Sequence, residues 1–293
     1  KAGNTSSWSV PSAIYKYDTT PPTTITDLDS SPSGQTNTSS GVSWIWTSGT
    51  DDFGVDHDEL RWMRTSLSSE LVKPASSPHD FGSVLDNNGS GTYYVQVRTV
   101  DKAGNGTWSD SKTLIYDNAA PVIAAVDPVE FDVLNAAELG AGIAKLDITM
   151  SDPELNDTSA GTGVNTSTFI WSIVDAGTYA DGGDHGDLTD NGSGSYSVAI
   201  TPITASGKYT VEMKVKDIAG NERVYTYEFT VDDEAPVIEA VTPGDGDQLD
   251  ASGIGMVQLQ ITMTDPELND HSDGTGVNTS TFIWSIVDAG TYA

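Results

Sequence analysis

The acidic residues of this chain recur in fixed company. The run Asp152–Asp157, DPELND, returns at Asp265–Asp270, and the motif DKAGN at Asp101–Asn105 returns as DIAGN at Asp217–Asn221. A third acidic position closes a strand ahead of proline: Asp18 in YDTTPP, Asp117 in YDNAAPVI, and Asp232 and Asp233 in VDDEAPVI. Carboxylates brought close together repel unless a hard cation sits among them, and Ca²⁺ accepts six to eight oxygens in a flexible geometry. The motif-bearing segments are far apart in sequence, so this chemistry requires a fold that brings them together. DPELND lacks the central glycine and spacing of an EF-hand loop, and no calcium-binding nonapeptide recurs.

Other chemistries find little support. There is no cysteine, hence no disulfide staple, thiolate metal site or thiol nucleophile. No GxSxG elbow, HExxH pair or phosphate-cradling glycine loop occurs. The histidines, His57, His79, His185 and His271, fall in segments read as unrelated loops, and Thr158 replaces His271 in the sister repeat. Carboxylate pairs without an enclosing cleft lack the environment that raises a general acid's pKa, so the chain is not expected to be an enzyme. A formal charge of −30, with 43 acidic against 13 basic residues, repels phosphate backbones and excludes nucleic acid as a partner. No window of eighteen apolar residues is present, so no membrane insertion is expected, and a leader peptide, if one exists, precedes Lys1.

The elements that would position the acids come from internal repetition. The sequence GVNTSTFIWSIVDAGTYA ends at Ala180 and again, unchanged, at Ala293, and KAGN at Lys1–Asn4 is a first copy of the DxAGN motif. Each DxAGN is followed by one strand and an acidic, proline-containing stop, a short stiff linker because proline fixes φ and cannot extend a ladder. Boundaries near Pro22, Pro121 and Pro236 divide the chain into the end of one repeat (1–20), two whole repeats (21–118 and 119–234) and the first half of another (235–293). The polypeptide is therefore expected to continue beyond both ends. Strict alternation marks half-buried antiparallel strands: Leu146, Ile148 and Met150 inward against Lys145, Asp147 and Thr149; Leu259, Ile261 and Met263 in the same phase; Tyr209, Val211, Met213 and Val215; Tyr93, Val95 and Val97. Trp171 and Trp284 are expected to plug the space between two sheets, and helix is expected to be nearly absent.

Gly91 with Tyr93, and Gly207 with Tyr209, resemble the glycine and tyrosine that open strand F of immunoglobulin-like domains, where the hydroxyl caps a local backbone group. With the DxAGN turn and the acidic APV linker, the whole chain resembles the bacterial immunoglobulin-like repeats of giant adhesins and surface-layer proteins, and the Asp101 repeat is also similar to fibronectin type III modules. The resemblance implies an all-β fold of tandem immunoglobulin-like antiparallel sandwiches. In such a sandwich the chain begins strand A at the end that carries the B–C and F–G loops. The expected convergent sets are Asp117, Asp152, Glu154, Asp157, Asp217 and Asn221; Asp18, Asp51, Asp52, Asp101 and Asn105; and Asp232, Asp233, Asp265, Glu267 and Asp270. The resemblance likewise implies calcium at these junctions.

A second cluster, Asp181, Asp184, Asp187 and Asp190, reads first as a glycine-rich loop. Eight Asn-x-Ser/Thr sequons, at Asn4, Asn37, Asn88, Asn105, Asn156, Asn165, Asn191 and Asn278, fall in segments read as loops or turns and could carry glycans. The expected role is a structural repeat protein at an extracellular, prokaryotic cell surface. It would form a calcium-stiffened stalk, fibre or surface-layer (S-layer) array with other copies or repeats of itself, with surface glycans as possible partners. The alternative is the stalk of an adhesin that presents a binding domain elsewhere. A carbohydrate-binding module would need an exposed aromatic row, for which Trp44, Trp46 and Trp62 are the candidates, although their alternation reads as core.

Overall fold

The computed structural model describes residues 3, 5, 16–65, 69–175, 179–242, 244, 260–268 and 273–283. Among the described residues, strands make up 51% and helix 7%. Two compact units are formed, one from Lys1–Ala120 with Asp152–Gly163 and Asp217–Asn221, the other from Pro121–Ser151, Val164–Lys216 and Glu222–Ala293.

The first unit contains strands β1 (Asp29–Ser31), β2 (Gln35–Thr36), β3 (Ser43–Ile45), β4 (Val55–Arg64), β5 (Glu70–Ala75) and β6 (His79–Asp80), a helix α1 (Gly82–Asn88), and strands β7 (Gly91–Asp101) and β8 (Lys112–Tyr116). One sheet has the order β1-β3-β6 and the other β2-β8-β7-β4-β5. All pairs are antiparallel except β2 with β8, which run parallel. The first edge of the sandwich thus changes sheets between β1 and β2, across Pro32 and Gly34, where proline offers no ladder donor and the glycine adopts φ +83°.

Alternation along β7 buries Tyr93, Val95 and Val97 completely. They meet an aromatic cluster in which Phe81 lies edge-on to Trp44, Trp62 and Tyr93 at 6.1, 5.8 and 5.7 Å, the geometry that ring quadrupoles favour. Trp44, Trp46 and Trp62 are all buried, so they form core and not an exposed sugar platform. Trp46 donates its indole N–H to the buried Asp58 carboxylate at 2.8 Å, which also accepts from the Thr99 hydroxyl at 2.6 Å. The alternation pattern had given no sign of α1. Its reason is visible once folded, since Phe81 and Leu85, four residues apart, are both fully buried.

The second unit repeats the plan with β9 (Val122–Asp127), β10 (Val133–Asn135), helix α2 (Ala136–Leu139), β11 (Ile143–Ser151), β12 (Val164–Asp175), β13 (Ala180–Asp184), β14 (Leu188–Gly192), β15 (Ser195–Ile203), β16 (Gly207–Asp217) and β17 (Glu222–Asp232). Its sheets have the orders β14-β15-β11-β9 and β10-β17-β16-β12-β13, and β10 runs parallel to β17. Leu146, Ile148, Met150, Tyr209, Val211, Met213 and Val215 all point into the core at 2% exposure or less. Trp171 is buried, and its N–H reaches Asp187 at 3.1 Å. A further antiparallel pair, β18 (Val237–Thr242) and β19 (Gln260–Thr264), carries Ile261 and Met263, half-buried; Leu259 and Trp284 lie outside the described residues.

In both units the tyrosine near the start of the central strand donates its hydroxyl to a carbonyl four residues upstream, Tyr93 to Gly89 at 2.6 Å and Tyr209 to Ala205 at 2.7 Å. Removing that single bond in Tyr209→Phe is expected to cost about 1 kcal/mol. Leu146→Ala, which opens a cavity in a fully buried site, is expected to cost about 2–5 kcal/mol. Urea denaturation of the two variants checks the order, and a larger loss for Tyr209→Phe would contradict it.

Candidate metal centre

The motifs at Asp101–Asn105 and Asp217–Asn221 each make a hairpin turn in which the aspartate is the organiser. Asp101 Oδ1 accepts from the amides of Ala103 (2.8 Å) and Asn105 (2.9 Å), while its own amide donates to Asn105 O at 3.0 Å. Asp217 Oδ1 accepts from Gly220 (2.6 Å) and Asn221 (2.8 Å), with the same closing bond at 3.0 Å. The glycine three residues on must take positive φ, +94° at Gly104 and +104° at Gly220. Burial works to raise the Asp101 pKa, but hydrogen bonds from the side chain and backbone of Asn105 and from the Ala103 and Gly104 amides outweigh it and hold the carboxyl below its ordinary value.

The strand-closing acids are fixed by a second local device. Asp18, Asp117 and Asp232 each accept the amide of the residue two positions on, at 2.9, 3.1 and 3.2 Å, the side-chain turn that aspartate favours. Within the first unit Asp117, Asp152 and Asp217 place one oxygen each within 4.8 Å of one another, and so do Asp18, Asp51 and Asp101. Asp117, Asp217 and Asp101 are at most 2% exposed. Asp117 Oδ2 also accepts from the amide and hydroxyl of Thr162, both at 2.9 Å, and Asp152 Oδ2 from Gly163 N at 2.5 Å. The same contacts recur in the second unit, where Asp232 Oδ2 accepts from Thr275 (3.2 and 2.6 Å) and Asp265 Oδ2 from Gly276 N (2.5 Å).

In each three-acid cluster one buried carboxylate oxygen, Asp18 Oδ2 or Asp152 Oδ1, has no hydrogen-bond partner. Burial, followed by the charges of Asp117 and Asp217, raises the Asp152 pKa despite the hydrogen bond from Gly163. Three carboxylates without nitrogen or sulfur form an all-oxygen donor set.

Other expected members stand apart. Asp52, Glu154, Asp233 and Glu267 are exposed and join neither cluster, and Asp270 lies outside the described residues. Asp157 is buried elsewhere, accepting from Thr92 N at 2.9 Å and from Ser159. Asn105 and Asn221, expected as ligands, turn their amide nitrogens to the acids: Asn105 donates to Asp101 Oδ2 (2.9 Å) and Asp18 O (3.2 Å), Asn221 to Asp217 Oδ2 (2.6 Å) and Asp117 O (2.8 Å). They brace the turn aspartate against the linker. Thr162 with Gly163, and Thr275 with Gly276, are partners that motif chemistry does not mark; the identical Gly-Thr-Gly-Val runs at the start of the repeated strand sequence are their only signal.

Three of the sequons are not in loops. Asn88 lies in α1, Asn165 in β12 and Asn191 in β14. Asn105 already uses both amide hydrogens, one of which a glycan would displace. Asn37, Asn156 and Asn278 are exposed, and Asn4 lies outside the described residues. His57 and His79 likewise sit in strands, β4 and β6, and His185 in a single helical turn. His271 lies outside the described residues.

The Asp181–Asp190 segment is a strand, a turn of helix and a strand, not an open loop. Its acids are taken up locally: Asp181 by Thr201 N (2.6 Å), Asp184 by Gly186 N (2.8 Å), Asp187 by Trp171 and Asp190 by Gly192 N (2.7 Å). Burial opposes ionisation of Asp181, but the bonds from Thr201, Gly182 and Tyr179 lower its pKa. A depressed acid contributes stability above its unfolded-state value and loses it as pH falls through the folded one. Asp181→Asn is therefore expected to be less stable than wild type at neutral pH, with the gap closing below the ordinary aspartate range; thermal melts between neutral and strongly acid pH check this.

Residues 149–233 match the bacterial Ig-like domain family. No curated protein matches the chain. Among solved structures, the chain is similar to part of a 1.5-MDa bacterial ice-binding adhesin, at 18% identity and a TM-score of 0.37, covering 77% of this chain and 71% of that one. It is also similar to the FN1–FN3 domains of chicken CNTN1, at 14% identity and a TM-score of 0.28 over 71% and 68%, and to fibronectin(III)-like modules of Clostridium thermocellum CbhA, at 12% identity and a TM-score of 0.26 over 68% and 88%. The antiparallel pairing of β16 with β17, the capped tyrosine at Tyr209 and the family match together make residues 149–233 a bacterial immunoglobulin-like domain.

Proposed function

We propose that this chain is part of a non-enzymatic repeat protein of the extracellular cell surface, in which calcium held by the carboxylate clusters stiffens a stalk, fibre or surface-layer array built with other copies of the repeat. The observation that carries the reading is recurrence. The same linker acid, loop acid and turn acid meet at Asp117, Asp152 and Asp217 and again at Asp18, Asp51 and Asp101, each time with a buried oxygen that no donor satisfies. A buried anionic oxygen without a partner is costly, and a hard divalent cation with flexible all-oxygen coordination is the partner that relieves both this cost and the mutual repulsion. A ligand-binding function needs its site once, whereas a spacer gains from copying. Among the described residues no helix is long and apolar enough to cross a membrane.

A cation at the first cluster would tie the Asp117 linker to the 152–163 loop and the 217–221 turn. Without it, their charges repel and the linker is free to pivot. Binding in the range typical of extracellular modules, about 10⁻⁴ to 10⁻³ M, is expected. Calorimetric titration with Ca²⁺ should lose one site in Asp217→Ala and retain that of Asp101. Small-angle scattering should show greater flexibility after chelation. Curves unchanged by chelator and by Asp217→Ala would overturn the calcium reading and leave these acids as organisers of turn and linker.

A further inference from the structure

The DPELND run contributes only Asp152 to the carboxylate cluster, yet its remaining residues are among the most carefully packed in the first unit. Leu155 is 3% exposed and Asp157 3% exposed. Asp157 faces the start of β7. That strand continues past the end of β4, whose last residue, Arg64, pairs with Tyr93, so the Thr92 amide has no ladder partner on that side. Asp157 Oδ2 supplies one at 2.9 Å, and one residue earlier Asn156 N donates to the buried Ser90 hydroxyl at 3.1 Å. The approach is close: a Cβ at Gly91 would meet Arg64 Cδ at 2.7 Å and Asp157 Oδ2 at 2.9 Å, and one at Gly89 would meet the Asn156 side-chain nitrogen at 2.6 Å, so a larger residue at either position would have to displace those side chains.

We propose that Gly89–Thr92 is a docking site for a DPELND loop, and that this loop is a strap by which one repeat recognises the repeat preceding it in sequence, separately from any cation. A second observation points to the same occupant. The second unit carries a matching surface, Ala205–Lys208 before Tyr209, in which the Ser206 hydroxyl is buried and has no hydrogen-bond partner, and Leu268, the counterpart of Leu155 in the second DPEL run, is 2% exposed. The loop between β3 and β4, which supplies Asp51, has no such leucine or Asn-Asp pair. A repeat of that kind offers the acid but not the strap, so the loop sequence encodes which repeat can follow which.

Amide hydrogen exchange of the full chain tests this. Asp157→Ala is expected to speed exchange at Thr92 by about tenfold or more while leaving the core amide of Val97 unchanged, and Asp157→Asn, which keeps an acceptor oxygen, should stay near wild type. Chelator added to the wild-type chain should leave Thr92 protected, even if the calcium reading fails. Unchanged Thr92 exchange in Asp157→Ala, or release of Thr92 by chelator alone, would overturn the proposal. Should Asp157→Ala also loosen Val97, Leu155→Ala decides: it keeps every hydrogen bond, and faster exchange at Thr92 than at Val97, relative to wild type, supports the strap, whereas an equal change at both overturns it.

Discussion

A single carboxylate at the head of each hairpin turn organises much of what surrounds it. Asp101 and Asp217 end their strands by collecting the amides that the turn would otherwise leave unpaired, and that capture fixes where the following asparagine stands. The asparagine then reaches back to the carbonyl of the strand-closing acid, Asp18 or Asp117. Segments 87 and 104 residues apart are thereby registered by neutral hydrogen bonds before any charge is considered. The carboxylates that repel one another are held in place by groups that do not. Backbone amides satisfied in this way cost little to bury, which is how a nearly inaccessible acid such as Asp217 is tolerated.

Much of this was legible in the amino-acid sequence because it is written in local chemistry. Period-two alternation announced the buried faces of β7, β11 and β16 without ambiguity, and the glycine-tyrosine pairs announced the capped strand starts. The hairpin turn is spelled out by aspartate, glycine and asparagine at fixed offsets. The linker, loop and turn acids met because a sandwich brings those three segments together whatever their identity.

What escaped was decided by distant packing. Asp157 lies among other acids in DPELND and nothing local separates it from Asp152, yet one faces a strand amide and the other a carboxylate cluster. The asparagines read as ligands in the sequence because it records that an amide is present but not which of its atoms turns inward. Asn165 and Asn191 lie in strands, β12 and β14, at positions where no burial alternation marks the strand. Helix α1 depends on two side chains four apart finding the same cavity, a signal too short to stand out from its surroundings.

The parallel pairing of the sheet-switching segment with the last strand of each unit has a mechanical meaning. Val133–Asn135 runs beside Thr230–Asp232 in the same direction. Tension applied through the chain to the two ends of this domain pulls the sheet-switching segment backward and the last strand forward, so the ladder between them is sheared along its length. Its hydrogen bonds are loaded together and do not open one after another like a zip. The β2 and β8 pair, Gln35–Thr36 against Ile115–Tyr116, is arranged in the same way. A domain closed in this fashion yields to traction only when several bonds rupture at once.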